Sequence, residues 1–300
     1  MLILCWLVHC VLLLLSVAFF TLFERKVMGL FHNRLGPNKV SFVGLLQPLL
    51  DAFKLLTKQS MTPLRANKFT YHASPHVALI LALFIWLTMP RLYITFNINY
   101  SFVVFFCVGS VIVFAVLIAG WSSNSKYSLI GSLRSVAQSI SYESVFRTLI
   151  VLALVIFISF SIRRTVNLSS PILLFLLPIW VICTLAETHR APFDFRESES
   201  ELVSGFNTEY SGAYFAFIFL SEYTVLLYSC IIISFIFFSW LVPYSIFYLV
   251  ILTLILRFVF IWIRITFCRF RYDMLIITSW KVLLPLVLIL FVVYFPIFIV

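Results

Sequence analysis

Apolar residues run along this chain in long uncharged blocks, each closed by a short polar stretch. Blocks of that length predict helices that cross a bilayer, because a span needs roughly 20 apolar residues. The pattern predicts eight of them, at about residues 2–23, 73–89, 100–120, 128–161, 171–187, 212–239, 243–263 and 282–300. The expected fold class is therefore all-α and polytopic. Residues 1–300 form one integral membrane domain, with inner loops at about 24–72, 187–211 and 264–281. An even number of spans places both termini on the same side.

One segment has helical spacing without the length to cross. In "VGLLQPLLDAFKLLTKQS" the residues Leu45, Leu46, Leu49, Leu50, Phe53 and Leu56 share one side, while Asp51, Lys54 and Lys58 take the other. That predicts an amphipathic helix lying at the membrane interface, or one docked on a partner.

Charge then orients the spans. Fifteen basic residues fall in the loops after spans 1, 3, 5 and 7: Arg25, Lys26, Arg34, Lys39, Lys54, Lys58, Arg65, Lys68, Lys126, Arg190, Arg196, Arg264, Arg269, Arg271 and Lys281. Only Arg91, Arg163 and Arg164 lie in the opposite loops. By the positive-inside rule the first set faces the cytoplasm or matrix. The patch Arg25, Lys26, Lys39 and Lys54 is placed to meet anionic lipid or a peripheral partner, and nothing points to nucleic acid. Composition agrees, with 63% hydrophobic and 11% charged residues, too few polar side chains to clothe a soluble domain. No basic n-region precedes the first block, so it reads as a retained span rather than a cleaved signal.

The six cysteines are scattered singly with no C-x-x-C, which offers neither an iron–sulfur nor a structural zinc site. His72 and His76 are spaced i, i+4, but a bis-histidine haem needs a second pair on a facing helix. From these residues no iron–sulfur cluster, structural zinc or haem is expected.

Once the loops are set aside, Arg134, Glu143, Arg147, Glu222 and Arg257 remain inside spans, where an ionisable group is costly unless paired or wet. In the fourth span Ser128, Ser132, Ser135, Ser139 and Tyr142 recur at steps of four and three, and Gln138 and Ser141 widen the stripe. Such a face meets protein or water, and it can hold a proton wire. Glu143 and Arg147 can neutralise each other at i, i+4. Glu222 lies ten residues into the sixth span, about 15 Å deep, with no basic residue within one turn. It needs a partner from another helix or must share its charge with a proton.

The densest anomaly is "AETHRAPFDFRESESELVSGFNTEY", residues 186–210. Of 11 acids in the whole chain, six lie there: Glu187, Asp194, Glu197, Glu199, Glu201 and Glu209. Glu197 and Glu201 would repel at i, i+4; His189, Arg190 and Arg196 supply counter-charge; Pro192 stops the preceding helix from running on. The interleaving of apolar and small residues in "LVSGFNTEYSG" favours a buried, re-entrant acidic loop over a solvated one.

With "ERKVMGLFHNRLGPNKV" (24–40), "GLLQPLLDAFKLLTKQ" (44–59), "RSVAQSISYE" (134–143), the acidic segment and "RFRYDMLIITSWK" (269–281) in that order, the chain resembles the family of subunit 1 of mitochondrial NADH:ubiquinone oxidoreductase, respiratory complex I. The resemblance implies a proton-translocating NADH:ubiquinone reductase subunit with no redox centre of its own. Ubiquinone is then the substrate, and FMN and iron–sulfur clusters sit in partner subunits. It implies quinone-side roles for Arg25, Arg34, Asp51, Arg190, Phe219 and Arg271. It implies proton-coupling roles for Glu24, Arg134, Tyr142, Glu143, Glu187, Asp194, Glu197, Glu199, Glu201, Glu209 and Glu222. The implied partners are the peripheral quinone-site and iron–sulfur subunits, neighbouring membrane subunits and lipid. The implied location is the mitochondrial inner membrane, with basic loops in the matrix and both termini in the intermembrane space. The chain departs from the family pattern at His189, where Asn is usual, and at Arg196 and Ser198. Two rivals use the same residues. A stand-alone proton-coupled transporter would need the same intramembrane acids, although no internal repeat supports it. The equivalent subunit of a membrane-bound hydrogenase would share the fold.

Overall fold

The computed structural model describes residues 2–89, 100–157, 171–196, 205–238 and 246–299. Among them the chain is helical, because a backbone in hydrocarbon can satisfy its own N–H and C=O groups only within a helix or a closed barrel. Its α-helices are α1 (Leu2–Phe31), α2 (Gln47–Thr57), α3 (Lys68–Ile85), α4 (Ser101–Ser122), α5 (Lys126–Phe157), α6 (Leu177–Glu187), α7 (Ala213–Phe238), α8 (Ile246–Thr266), α9 (Tyr272–Ile277) and α10 (Leu284–Ile299).

Seven helical stretches among the described residues are long and apolar enough to cross a membrane. The expected fifth span is shorter: a 3₁₀ segment, Pro171–Leu176, leads into α6. Pro178 in the first turn of α6 suits a helix start, where its missing N–H costs nothing. Two boundaries moved outward from the expected ones. α1 continues to Phe31, so Glu24 and Arg25 lie on a helix rather than in a loop. The last helical run begins at Tyr272, crosses a π turn at Thr278–Leu283 and continues as α10. Lys281 alone does not interrupt a helix, so a single charge was a poor boundary marker there.

α5 lies at the centre, packed against α4, α6, α10 and the short 3₁₀ turn Gly205–Asn207. α7 is the second hub and touches α3, α8, α1 and α2. The core between the hubs holds Trp180, Tyr142, Tyr228 and Phe237, all fully buried. Trp86 donates from Nε1 to the Thr224 carbonyl at 3.2 Å, and Thr88 meets the Tyr228 hydroxyl at 2.5 Å, so the 3₁₀ turn Trp86–Thr88 after α3 adds polar contacts to the packing of α3 on α7. Outward-facing apolar residues such as Ile80, Phe114 and Ile289 are exposed, as expected of a surface that meets lipid tails. The apolar face of α2, from Leu49 to Leu56, is also uncovered by the chain itself, in keeping with the amphipathic reading.

Small residues set how closely the helices approach. A Cβ on Gly131 would lie 2.8 Å from the Phe206 amide nitrogen and 2.9 Å from the Gly205 backbone, atoms that cannot turn aside. Gly131→Ala is therefore expected to destabilise the fold by about 1–3 kcal/mol through overpacking. A lower midpoint of thermal inactivation in the solubilised protein checks it.

Candidate functional site

The charged residues gather where α6 ends and the chain folds back. α6 stops at Glu187, a turn through Thr188 and His189 follows, and residues 190–196 continue as non-helical chain. The α5 side chain Gln138 holds this corner, donating from Nε2 to the carbonyls of Ala186 (3.0 Å) and Phe193 (2.8 Å). The 267–271 segment clasps it from the other side. Phe193 stacks on Phe270 at 5.6 Å, the Phe270 amide donates to the Pro192 carbonyl at 3.1 Å, and Arg269 donates to the Asp194 carbonyl.

Arg190 leaves this corner and meets Glu24 of α1 at 2.6 Å. Arg264, from the end of α8, binds the same carboxylate oxygen, and the Tyr223 hydroxyl of α7 donates to the other at 2.8 Å. The Arg190 guanidinium also lies 4.3 Å from the Tyr223 ring centre, a cation–π arrangement. One buried carboxylate thus ties α1, α7, α8 and the returning loop. Burial works against the Arg190 charge, but Glu24 and Tyr223 outweigh it and raise its hold on the proton.

Two cavities meet at this corner. The loop-side one, about 50 Å³, is lined by Arg190, Asp194, Phe219, Tyr223 and Arg264 together with Thr188, His189, Arg196 and Glu222. The membrane-side one, about 110 Å³, lies among α3, α4, α5, α6 and α7, and its polar lining includes Ser135, Ser139, Glu143, Glu187 and Ser221. A space of that size with several polar partners can hold a short water chain. Thr188, His189, Arg196 and Glu222 line both.

Glu222 finds its partner across the fold. Arg196 Nη2 lies 3.0 Å from its Oε1, both side chains being largely buried, although no N–H of the guanidinium is aimed at that oxygen. Arg196 is also 4.1 Å from the Phe206 ring centre. Glu143 pairs with Arg147 as the i, i+4 spacing implies, and Ser110 of α4 donates to the same oxygen at 3.0 Å.

His189 has its backbone in the left-handed region, φ 50°, and its Nδ1 is buried without a hydrogen-bond partner. Burial, with the Arg196 charge adding to it, holds the imidazole well below the usual histidine range. The neutral ring therefore favours the folded state. That contribution is complete above the unfolded value of about 6.5 and is lost as pH falls towards the folded value, by at most about 1.4 kcal/mol per pH unit, since only the unfolded chain then takes up the proton. Thermal midpoints of the solubilised protein from pH 8 to 5.5 should fall on the acid side, and His189→Asn should flatten the fall.

The other expected site residues distribute as follows. Arg25 pairs with Asp51 at 2.6 Å, linking α1 to α2, and Gln47 donates to the same carboxylate at 2.8 Å. Arg34 is exposed and Arg271 pairs with Asp273 at 3.1 Å on the surface, so neither reaches the cavities. Arg134 lies 5.7 Å from the Tyr272 ring, and the Tyr142 hydroxyl donates to the Leu275 carbonyl at 3.2 Å beside the π turn; both sit outside the two linings. Glu209 is likewise outside them, its carbonyl accepting from the Tyr71 hydroxyl at 2.7 Å. Glu197, Glu199 and Glu201 lie outside the described residues. The serine stripe divides. Ser128 and Ser132 pack at the α4–α5 contact, with hydroxyls bonded to carbonyls of Gly120 and Leu129, while Ser135 and Ser139 face the cavity. Tyr223 and Arg264 were missed as site residues. Tyr223 adjoins Glu222 in sequence, a signal that was available; Arg264 was counted only for topology. No group of three or more His, Cys, Asp or Glu converges as a metal site among the described residues.

Known proteins of one family resemble this chain over nearly its whole length. The family model described as NADH dehydrogenase matches residues 4–295. NADH-ubiquinone oxidoreductase chain 1 of Aedes aegypti is 47% identical over 289 residues, covering 93% of this chain and 90% of that protein. The protein of the same name from Heterololigo bleekeri is 42% identical over 288 residues (94% and 92%), and that from Locusta migratoria 47% over 279 residues (91% and 88%).

Proposed function

Because this chain belongs to the NADH dehydrogenase family, we propose that it serves as the chain 1 membrane subunit of a proton-translocating NADH:ubiquinone oxidoreductase in the mitochondrial inner membrane. It has basic loops on the matrix side and both termini on the other. In this reading the loop-side cavity belongs to the wall of a ubiquinone chamber. Arg190, Arg264 and Asp194 meet the polar head, and Phe219 and Tyr223 supply ring contacts. Arg25, Arg34, Asp51 and Arg271 lie at its approaches, where partner subunits dock, and α2 lies along the membrane face where a long apolar tail would enter. FMN and iron–sulfur clusters in those partners deliver the electrons.

The observation that carries the reading is the meeting of the two cavities at Glu222, Arg196 and His189. Charge developing on a quinone beside Arg190 has a short electrostatic path to Glu222, then to Glu187 and Glu143. Buried carboxylates respond to such a change by taking up or releasing protons, because nearby charge shifts the balance between their protonation states. The response passes to neighbouring membrane subunits through the membrane-side cavity. Glu197, Glu199 and Glu201 extend the acidic path at its loop end, with Arg134, Tyr142 and Glu209 flanking it.

The test is gentle extraction of the native membrane, a native gel, and mass spectrometry of the band that holds this chain, with NADH:quinone reductase activity assayed in the gel. Co-migration with flavin and iron–sulfur subunits in an active band is expected. Migration alone or as a small oligomer without redox partners would point instead to a stand-alone transporter.

A further inference from the structure

Arg257 is the ionisable span residue that the coupling path leaves unused. It lies within α8, about 16 Å along the axis from the first residue and about 14 Å from the last. Arg25, Arg147, Arg190, Arg196, Arg264 and Arg271 each meet a carboxylate. Arg257 meets none among the described residues, and its Nε is buried without a hydrogen-bond partner. Its neighbour across the α7–α8 seam is the Cys230 thiol, a weak hydrogen-bonding group. Thr253, one turn earlier on α8, bonds its hydroxyl back to the Val250 carbonyl at 2.8 Å. Arg257 also lines neither of the two cavities, so neither can supply it with water. A guanidinium keeps its charge, and a charge inside a span is costly unless it is paired or wet.

The surface beside it is uncovered. Phe247, Val250, Leu254 and Phe258 follow one another at steps of three and four, draw a stripe along α8 next to Arg257, and are all exposed. On the other side Thr253, Leu256, Phe260 and Ile261 are buried. Arg257 is half-buried at the edge between the packed face and the open one. Lipid tails can cover the stripe but offer nothing to a guanidinium. Snorkelling to a phosphate serves arginines near helix ends, and Arg264, two turns nearer the end of α8, already meets Glu24.

We propose that this stripe is a docking face, occupied by an apolar helix of a neighbouring membrane subunit that carries one Asp or Glu at the depth of Arg257. This contact rests on the membrane assembly proposed above and gives it one specific joint. The partner carboxylate accepts from the guanidinium, and the partner helix packs on Phe247, Val250, Leu254 and Phe258. Charge complementarity selects a protein helix here, because apolar surface alone gives no preference for a helix over lipid in a bilayer. The joint is separate from the quinone reaction and holds a subunit in place.

The test uses the intact assembly in inner-membrane vesicles. An apolar carbodiimide should couple the amine of the Arg257→Lys variant to the partner carboxylate. Peptide mapping should then trace the cross-link to an Asp or Glu within an apolar segment of another subunit. In Arg257→Leu the stranded carboxylate should release that subunit about tenfold faster or more during detergent extraction, since losing one member of a buried charge pair acts on dissociation. Electron entry to an artificial acceptor should match wild type in both variants. No cross-link together with unchanged release in Arg257→Leu overturns the proposal. So does a cross-link to Glu197, Glu199 or Glu201 of this chain, which makes the pair internal. Loss of bound phospholipid from Arg257→Leu with every subunit retained overturns it too, and identifies a lipid phosphate. Loss of the assembled enzyme in both variants does the same, and makes Arg257 a structural residue of this chain. In each case a wild-type band that holds the redox partners leaves the broader reading standing. A wild-type chain that migrates alone fails both.

Discussion

Glu24→Gln is expected to abolish most quinone reductase activity and to weaken the assembly. Glu24 is 3% exposed and is the only carboxylate bonded to Arg190 and Arg264 among the described residues. Glutamine fills the same space but is neutral, so two guanidinium groups lose their counter-charge in a buried place. Breaking a buried ion pair from one side typically costs about 3–5 kcal/mol, because the stranded charge keeps its desolvation penalty. The same substitution frees Arg190 to move away from Tyr223 and the loop-side cavity. Activity should fall more than tenfold, and the native-gel band should thin. Glu24→Asp, which keeps the charge but shortens the reach, should lie between wild type and Gln. Wild-type activity and wild-type thermal midpoint in Glu24→Gln would show that this carboxylate is dispensable.

Glu187→Gln and Glu143→Gln should behave differently, lowering pumping without loss of assembly. Glu187 is in no ion pair among the described residues, so neutralising it strands no partner. Glu143 does pair with Arg147, but that guanidinium also donates to the Ser110 hydroxyl, a partner that stays when the carboxylate is neutralised. Both acids line the membrane-side cavity, where an amide cannot exchange a proton. Coupled turnover should drop by about tenfold in each, in line with the removal of one proton-transfer group. Protons translocated per electron pair, measured in vesicles under a controlled membrane potential, separate this from a simple loss of electron transfer. An unchanged ratio with an unchanged rate in both variants would remove these carboxylates from the coupling path.

The parts of the site visible in the sequence were those that violated the expected pattern. Glu143, Glu187 and Glu222 stood out because carboxylates in apolar blocks need an explanation, and all three line one cavity. Their partners were less accessible. Arg196 precedes Glu222 by 26 residues, so no helical spacing rule links them, and only the fold-back after α6 brings them together. Arg264 looked like one more positive-inside residue, while its guanidinium in fact turns back to Glu24. Glu24 entered through family resemblance alone, because a charge at the end of an apolar block marks a span boundary as readily as a buried hub. The serine stripe was a correct sign of burial, but hydroxyls that bond to helix carbonyls need no water, and only its middle part reaches the cavity. Helix existence followed from apolar length. Helix ends at Phe31 and Tyr272 did not, since isolated charges are tolerated within a helix.

The measurement closest to the central claim is photoaffinity labelling of the native membrane assembly with a ubiquinone analogue that carries its reactive group on the head, followed by peptide mapping of this chain. Labelling within residues 188–223, competed away by excess ubiquinone and lost in Glu24→Gln, is the predicted result. It would place the quinone head beside Arg190, Phe219 and Tyr223. Labelling confined to lipid-facing positions such as Phe114 or Ile289, or absent from this chain while partner subunits are labelled, would contradict the account.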